Sequence, residues 1–139
     1  MSFREISACV MGLMMAASGY YYLSLFIEAS RDAAWATPPP AAFVPYAIFV
    51  AFWSIVAQIL LAIVAPKDAD APADERERPL LDKAGHWSGL VLGAGVVASL
   101  FHYIYSGNGD LMFHMIVGSL ILCQFAEYAL QVLLLRRSA

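Results

Sequence analysis

Polar and apolar positions in this chain separate by block rather than by face. Residues 6–27, 33–66 and 84–109 carry no Asp, Glu, Lys or Arg, and residues 111–135 carry Glu127 alone. A helix rises about 1.5 Å per residue, so about 20 apolar residues cross the ~30 Å hydrocarbon layer of a bilayer. Each block is long enough for one crossing, which predicts transmembrane helices over about 6–27, 42–64, 84–105 and 111–135. The second starts at Ala42 because Thr37-Pro38-Pro39-Pro40 breaks any helix ahead of it, and Pro45 then falls in the first turn, where proline is tolerated. Only Ser106-Gly107-Asn108-Gly109-Asp110 separates the last two blocks. Gly and Asn form turns readily, so the third and fourth helices are expected to make a tight antiparallel hairpin, with Asp110 as its cap. The expected fold is all-α: one integral membrane domain over 1–139, four transmembrane helices in a bundle, and a polar loop at 66–83.

Composition narrows the class further. Of 139 residues, 61% are hydrophobic and 14% charged, against roughly 45–50% and about 25% in soluble domains. A mean hydropathy of +0.68 fits a bilayer rather than water. The net charge of −3 excludes the basic face that nucleic acid would require. Cys9 and Cys123 lie inside apolar blocks without metal-type spacing, so neither a disulfide framework nor a zinc motif is indicated. The first block outlasts the 7–15 apolar residues usual in a signal peptide and follows a weakly charged start, so it is read as a retained span.

Lys and Arg fix the expected orientation. Arg4, Lys67, Arg76, Arg78, Lys83, Arg136 and Arg137 fall at the two termini and in the 66–83 loop, whereas Arg31 alone falls on the other side. The positive-inside rule then places both termini and the loop in the cytoplasm. Tyr20, Tyr21, Tyr22, Trp35, Tyr46, Tyr103 and Tyr105 cluster toward the opposite interface, as an aromatic belt would.

The loop has two parts. Pro66 to Ala73 is rich in Asp, Ala and Pro, a linker composition. Asp74-Glu75-Arg76-Glu77-Arg78 alternates in sign and is a candidate cytoplasmic docking strip; it could extend as a short interfacial helix, but Pro79 interrupts it. This string, followed by an apolar pair, Lys83-Ala84 and a Gly-rich span, resembles small bacterial four-span membrane proteins with a D-E-R-[DE]-R-type motif before the third helix. The resemblance covers about residues 74–105. It implies a bacterial inner (cytoplasmic) membrane protein and a membrane-bound regulatory role, and carries no activity.

Small residues mark helix contacts. Gly85, Gly89 and Gly93 repeat every fourth residue, a tandem G-x-x-x-G that lets another backbone approach closely. Ala8, Gly12 and Ala16 form a similar row in the first helix, expected to lie opposite. The two rows serve either packing within the bundle or association with a second copy or a partner subunit.

Two polar groups inside the blocks are candidate sites. An acidic side chain in a span costs roughly 2.5–3.5 kcal/mol to insert, so Glu127 needs a partner or a proton. Gln124 and Gln131 share its helix face, and Gln58 of the second helix should lie at a similar depth. Reflecting the hairpin about Asn108 sets Gly89 beside the carboxyl and sets His102 level with His114. With Asp110 or Glu28 as an oxygen ligand, the two imidazoles could hold zinc or copper, or could ligate a haem. The alternative is a pair of interfacial histidines in ordinary hydrogen bonds, with no cofactor.

No G-x-S-x-G, H-E-x-x-H, P-loop or dinucleotide fingerprint occurs. Three readings follow. The first is a non-enzymatic membrane protein acting by helix association, as an oligomer, an accessory subunit or a regulator. The second is a small transporter or channel using Glu127. The third is a metal- or haem-binding protein using His102 and His114.

Overall fold

The computed structural model describes residues 3–31, 33–64, 75 and 77–138. They fold into four helices: α1 (Phe3–Ala29), α2 (Pro40–Val64), α3 (Glu77–Ser106) and α4 (Gly109–Ser138). All four are long and apolar enough to cross a membrane. At 25 to 30 residues each they run about 38–45 Å, which carries their charged ends past a ~30 Å hydrocarbon layer.

All four helices start ahead of the expected positions, α1 at Phe3 rather than Ile6. α2 begins at Pro40, where the Pro39 carbonyl accepts from the N–H groups of Ala42 and Phe43 at 2.8 and 3.0 Å. Pro45 therefore sits in the second turn, and the Ala41 carbonyl has no N–H to accept from it. α3 begins at Glu77 rather than Ala84, so Arg78 to Lys83 are helical and not loop. Pro79 does not interrupt this segment. It falls in the first turn, whose N–H groups have no intrahelical partner to lose, and Glu77 ahead of it suits the positive helix end. At the start of α4 the cap is Asn108, whose Oδ1 accepts from the Leu111 N–H at 3.0 Å. Asp110, expected in that role, is exposed in the first turn.

Gly107 ends α3 with φ +65°, a left-handed conformation that glycine adopts at little cost, and its N–H donates to the Tyr103 carbonyl at 2.8 Å. Past this two-residue link, α3 and α4 share the most extensive contact in the structure. Ser88 meets Glu127 and Gly95 meets Ser119, so the contacts step along the two helices in opposite directions. The midpoint of both pairs falls at or just past Gly107, not at Asn108. That offset shifts every cross-helix pairing by about one residue.

α4 is the element around which α3 and α1 pack, and α2 leans on α1. Glu5, Ala8, Met11, Met15, Ser18 and Tyr22 are the buried residues of α1, spaced by three or four as one stripe. A Cβ on Gly12 would lie 3.4 Å from the Tyr128 Cβ, and one on Gly19 would lie 3.2 Å from an Ile121 methyl. The Ala8, Gly12 and Ala16 side of α1 therefore meets α4. It does not meet Gly85, Gly89 and Gly93, where an added Cβ would find nothing within 4 Å. Gly89 and Gly93 are exposed, whereas Gly85 is half-buried and borders the cleft described below.

α2 holds on through its first turns. Tyr46 is its one buried residue; the hydroxyl shares a 2.8 Å hydrogen bond with Ser18 Oγ, and the ring centroid lies 5.6 and 5.8 Å from those of Tyr21 and Tyr22. Phe49, Phe52, Trp53, Ile59 and Ile63 are exposed. In water such a face would be an association or aggregation surface. In a bilayer, lipid tails cover it without cost.

Two ion pairs gather the charged helix ends. Arg4 Nε lies 3.2 Å from Glu77 Oε2, and Arg136 Nε lies 2.5 Å from Glu5 Oε1. The starts of α1 and α3 and the end of α4 thus lie together.

Candidate functional site: a polar cleft around Glu127

At this charged end the helices diverge around a cleft of about 580 Å³. α1 contributes Arg4 and Ser7, α2 contributes Gln58, α3 contributes Asp82, and α4 contributes Glu127 and Gln131. Spacing explains the α4 pair: residues four apart lie one turn above each other on one helix face. Gln131 Nε2 donates to Glu127 Oε1 at 3.3 Å, and Ser88 Oγ lies 3.3 Å from Glu127 Oε2. Ser88 has a single proton and also reaches the Gly85 carbonyl at 2.9 Å. An ionised Glu127 accepts that proton, and a protonated one donates to the hydroxyl instead. The carboxyl is half-buried and held in place in either state.

Several expected neighbours are replaced. Gly89 is exposed; Ser88, one residue earlier, occupies the position beside the carboxyl. Gln58 lines the cleft but bonds to α1, accepting from Ser7 Oγ at 3.5 Å. Gln124 is exposed and lies outside the cleft lining. Arg4 was read only as a flanking charge and Asp82 was given no role, and both reach the cleft because α1 and α3 extend as helices beyond the apolar blocks. Spacing by three back from Gly85, which also lines the cleft, would have found Asp82. Ser88 carried no sequence signal beyond its register.

At the opposite end, His114 is buried and joins three segments. Its Nε2 lies 3.2 and 3.1 Å from the carbonyls of Trp35 and Ala36. Carbonyls only accept, so Nε2 carries a hydrogen, and in the neutral ring Nδ1 accepts from the Tyr22 hydroxyl at 2.7 Å. The Phe26 ring stands edge-on at 4.7 Å. Trp35 has φ 64°, a left-handed backbone costing a non-glycine residue about 1–2 kcal/mol, and the hydrogen bond to its carbonyl holds it there. Both imidazole nitrogens are thus engaged by protein.

The four expected metal ligands are not gathered. Glu28 and Asp110 are exposed and His102 is half-buried. Among the described residues no group of three His, Cys, Asp or Glu could hold a metal ion. The Gly107 midpoint also sets His102 level with residues 112–113 rather than with His114. Of the docking strip, Glu77 is paired with Arg4 and Arg78 and Glu75 are exposed; Asp74 and Arg76 lie outside the described residues.

A second, apolar groove of about 810 Å³ runs between α1, α3 and α4 toward the His114 end. Ala16, Gly19, Gly95, Ala98 and Gly118 form its walls, and their small side chains leave the space open.

Comparison of the chain with protein-family models, with curated proteins and with solved structures finds no match in any of the three.

Proposed function

We propose that the protein acts by helix–helix association in a bacterial cytoplasmic membrane, as an accessory subunit or membrane-bound regulator, without catalytic chemistry of its own. The observation that carries this reading is the open glycine row: an added Cβ at Gly85, Gly89 or Gly93 would meet no neighbour, and Gly89 and Gly93 are exposed. Glycine inside a helix costs about 0.8–1.0 kcal/mol per residue relative to alanine. Three in one row with open space beside them, two of them exposed, fit a surface for close backbone approach by another helix. The same protein or a larger membrane complex can supply that helix. The two termini and the 66–83 segment face the cytoplasm in this reading. The lysine and arginine distribution supports that side, and the ion pairs support a shared end for the starts of α1 and α3 and the end of α4.

The test is co-purification from native membranes in mild detergent. The wild type should run as a homo-oligomer or bring down a stoichiometric partner, and Gly89→Leu should reduce that assembly at least tenfold while the protein itself stays folded. An unchanged assembly in Gly89→Leu removes the glycine face as the contact.

A second reading, a small transporter or channel using Glu127, has its own support. The carboxyl lines a polar cleft that continues through Gln131, Asp82 and Arg4 toward the charged helix ends, the route that protons or a cation would need.

A further inference from the structure

We infer that the cleft around Glu127 binds an organic ammonium cation, with Glu127 and Asp82 opposing its charge. This rests on reading Glu127 as a ligand-facing carboxylate, and it deepens that reading by naming a ligand class.

Charge decides the sign of the ligand. Two carboxylates and one guanidinium line the cleft, and the guanidinium, Arg4, is already paired with Glu77 at 3.2 Å. With Glu127 ionised the surplus is acidic, which disfavours an anion there. Size decides against a bare ion. A single water needs about 10–15 Å³ by the same measure, so about 580 Å³ is far more than a dehydrated ion requires. Donor chemistry argues against a divalent metal, because no three His, Cys, Asp or Glu side chains cluster among the described residues.

An ammonium head suits what remains. It carries donors and no acceptor, and the cleft offers carboxylate oxygens from two helices and amide oxygens from Gln58 and Gln131. Charge-assisted hydrogen bonds of this kind are roughly twice as strong as neutral ones. Gln131 and Ser88 fix the Glu127 carboxyl before any ligand arrives, which lowers the ordering cost of binding. Phe3 and Leu81 add an apolar wall to the same cleft; it would take the carbon skeleton of an alkylamine, and the Phe3 ring face would attract the cation. Two sources supply such a group: a soluble amine, or the head of an amino-phospholipid from the surrounding leaflet.

The experiment uses the full chain in nanodiscs of phosphatidylglycerol alone, titrated with butylammonium chloride by calorimetry. The wild type should bind saturably, with Glu127→Gln weakening the affinity at least tenfold and Asp82→Asn weakening it several-fold. A parallel series adds phosphatidylethanolamine and counts retained lipids by native mass spectrometry. Saturable butylammonium binding with no lipid retention assigns the soluble source, and retention of phosphatidylethanolamine that is lost in Glu127→Gln assigns the lipid. Glu127→Gln keeps the side-chain shape; should it fail to fold, the exposed Asp82→Asn variant decides. Absence of saturation and of lipid retention, or affinity unchanged in the variants, overturns the inference. Binding without amine flux in proteoliposomes removes the transporter reading and leaves the site.

Discussion

Gly95→Ala places a Cβ 2.6 Å from the Ser119 Cβ, at the centre of the α3–α4 contact. Carbon atoms at rest lie about 3.5–4.0 Å apart, so the two helices must move apart by about 1 Å or distort locally. Overpacking of this kind costs about 1–3 kcal/mol. Against it stands the gain of about 0.8–1.0 kcal/mol from replacing a helical glycine by alanine. The net expectation is destabilisation by up to about 2 kcal/mol. The same exchange at Gly89, six residues earlier, meets nothing within 4 Å and should be neutral or stabilising for the isolated chain. Unfolding midpoints in an SDS titration from mild detergent measure both. Because the clash is with one residue, Ser119→Gly in the Gly95→Ala background should recover most of the loss. A Gly95→Ala protein stabilised as much as Gly89→Ala, or a double variant no better than the single, would refute the packing described here.

His114→Phe should cost about 1–3 kcal/mol, since two hydrogen bonds disappear at about 0.5–1.5 kcal/mol each: that from the Tyr22 hydroxyl to Nδ1, and that from Nε2 shared between the Trp35 and Ala36 carbonyls. With Trp53→Phe and Trp87→Phe as background, Trp35 emission should shift to the red as its segment loosens; an unshifted spectrum and midpoint would show the histidine to be dispensable. Topology is checked by an impermeant maleimide on intact cells, using single cysteines at Ala69 and Asn108 in a background free of Cys9 and Cys123. Position 108 should react and position 69 should be protected, and the reverse pattern inverts the orientation.

Much of this architecture was legible because charge is so costly in hydrocarbon that it outlines the helices. The charge-free blocks located all four, and the Gly-Asn link foretold the tight turn between α3 and α4. Limits of the helices were less legible, because a charged residue stops a span without stopping a helix: Glu77 to Lys83 read as loop, yet hydrogen bonding continues through them. The site shows the same division. Glu127 announced itself as a carboxyl among apolar residues, and Gln131 followed from helical spacing. Ser88 did not, because its place depends on whether the turn centres at Gly107 or Asn108. Rotation about the helix axis was equally hidden. The apolar faces differ so little in hydrophobicity that nothing in the sequence told the outward Gly89 from the inward Gly95. His114 misled for a related reason. Its depth was nearly right, but its partners are backbone carbonyls of the Trp35 segment, which no side-chain pattern encodes.

The central claim is that the Gly85, Gly89 and Gly93 face receives another helix, and cross-linking in native membranes tests it most directly. A single cysteine introduced as Gly89→Cys, with Cys9 and Cys123 replaced by serine, reports what lies against that face without detergent. The account predicts a disulfide-linked dimer under mild oxidation, or a mixed disulfide with one stoichiometric partner when a short bifunctional maleimide is used, and none from an equivalent cysteine at the inward Gly95. Equal cross-linking from both positions, or none from Gly89→Cys with either reagent, would contradict it.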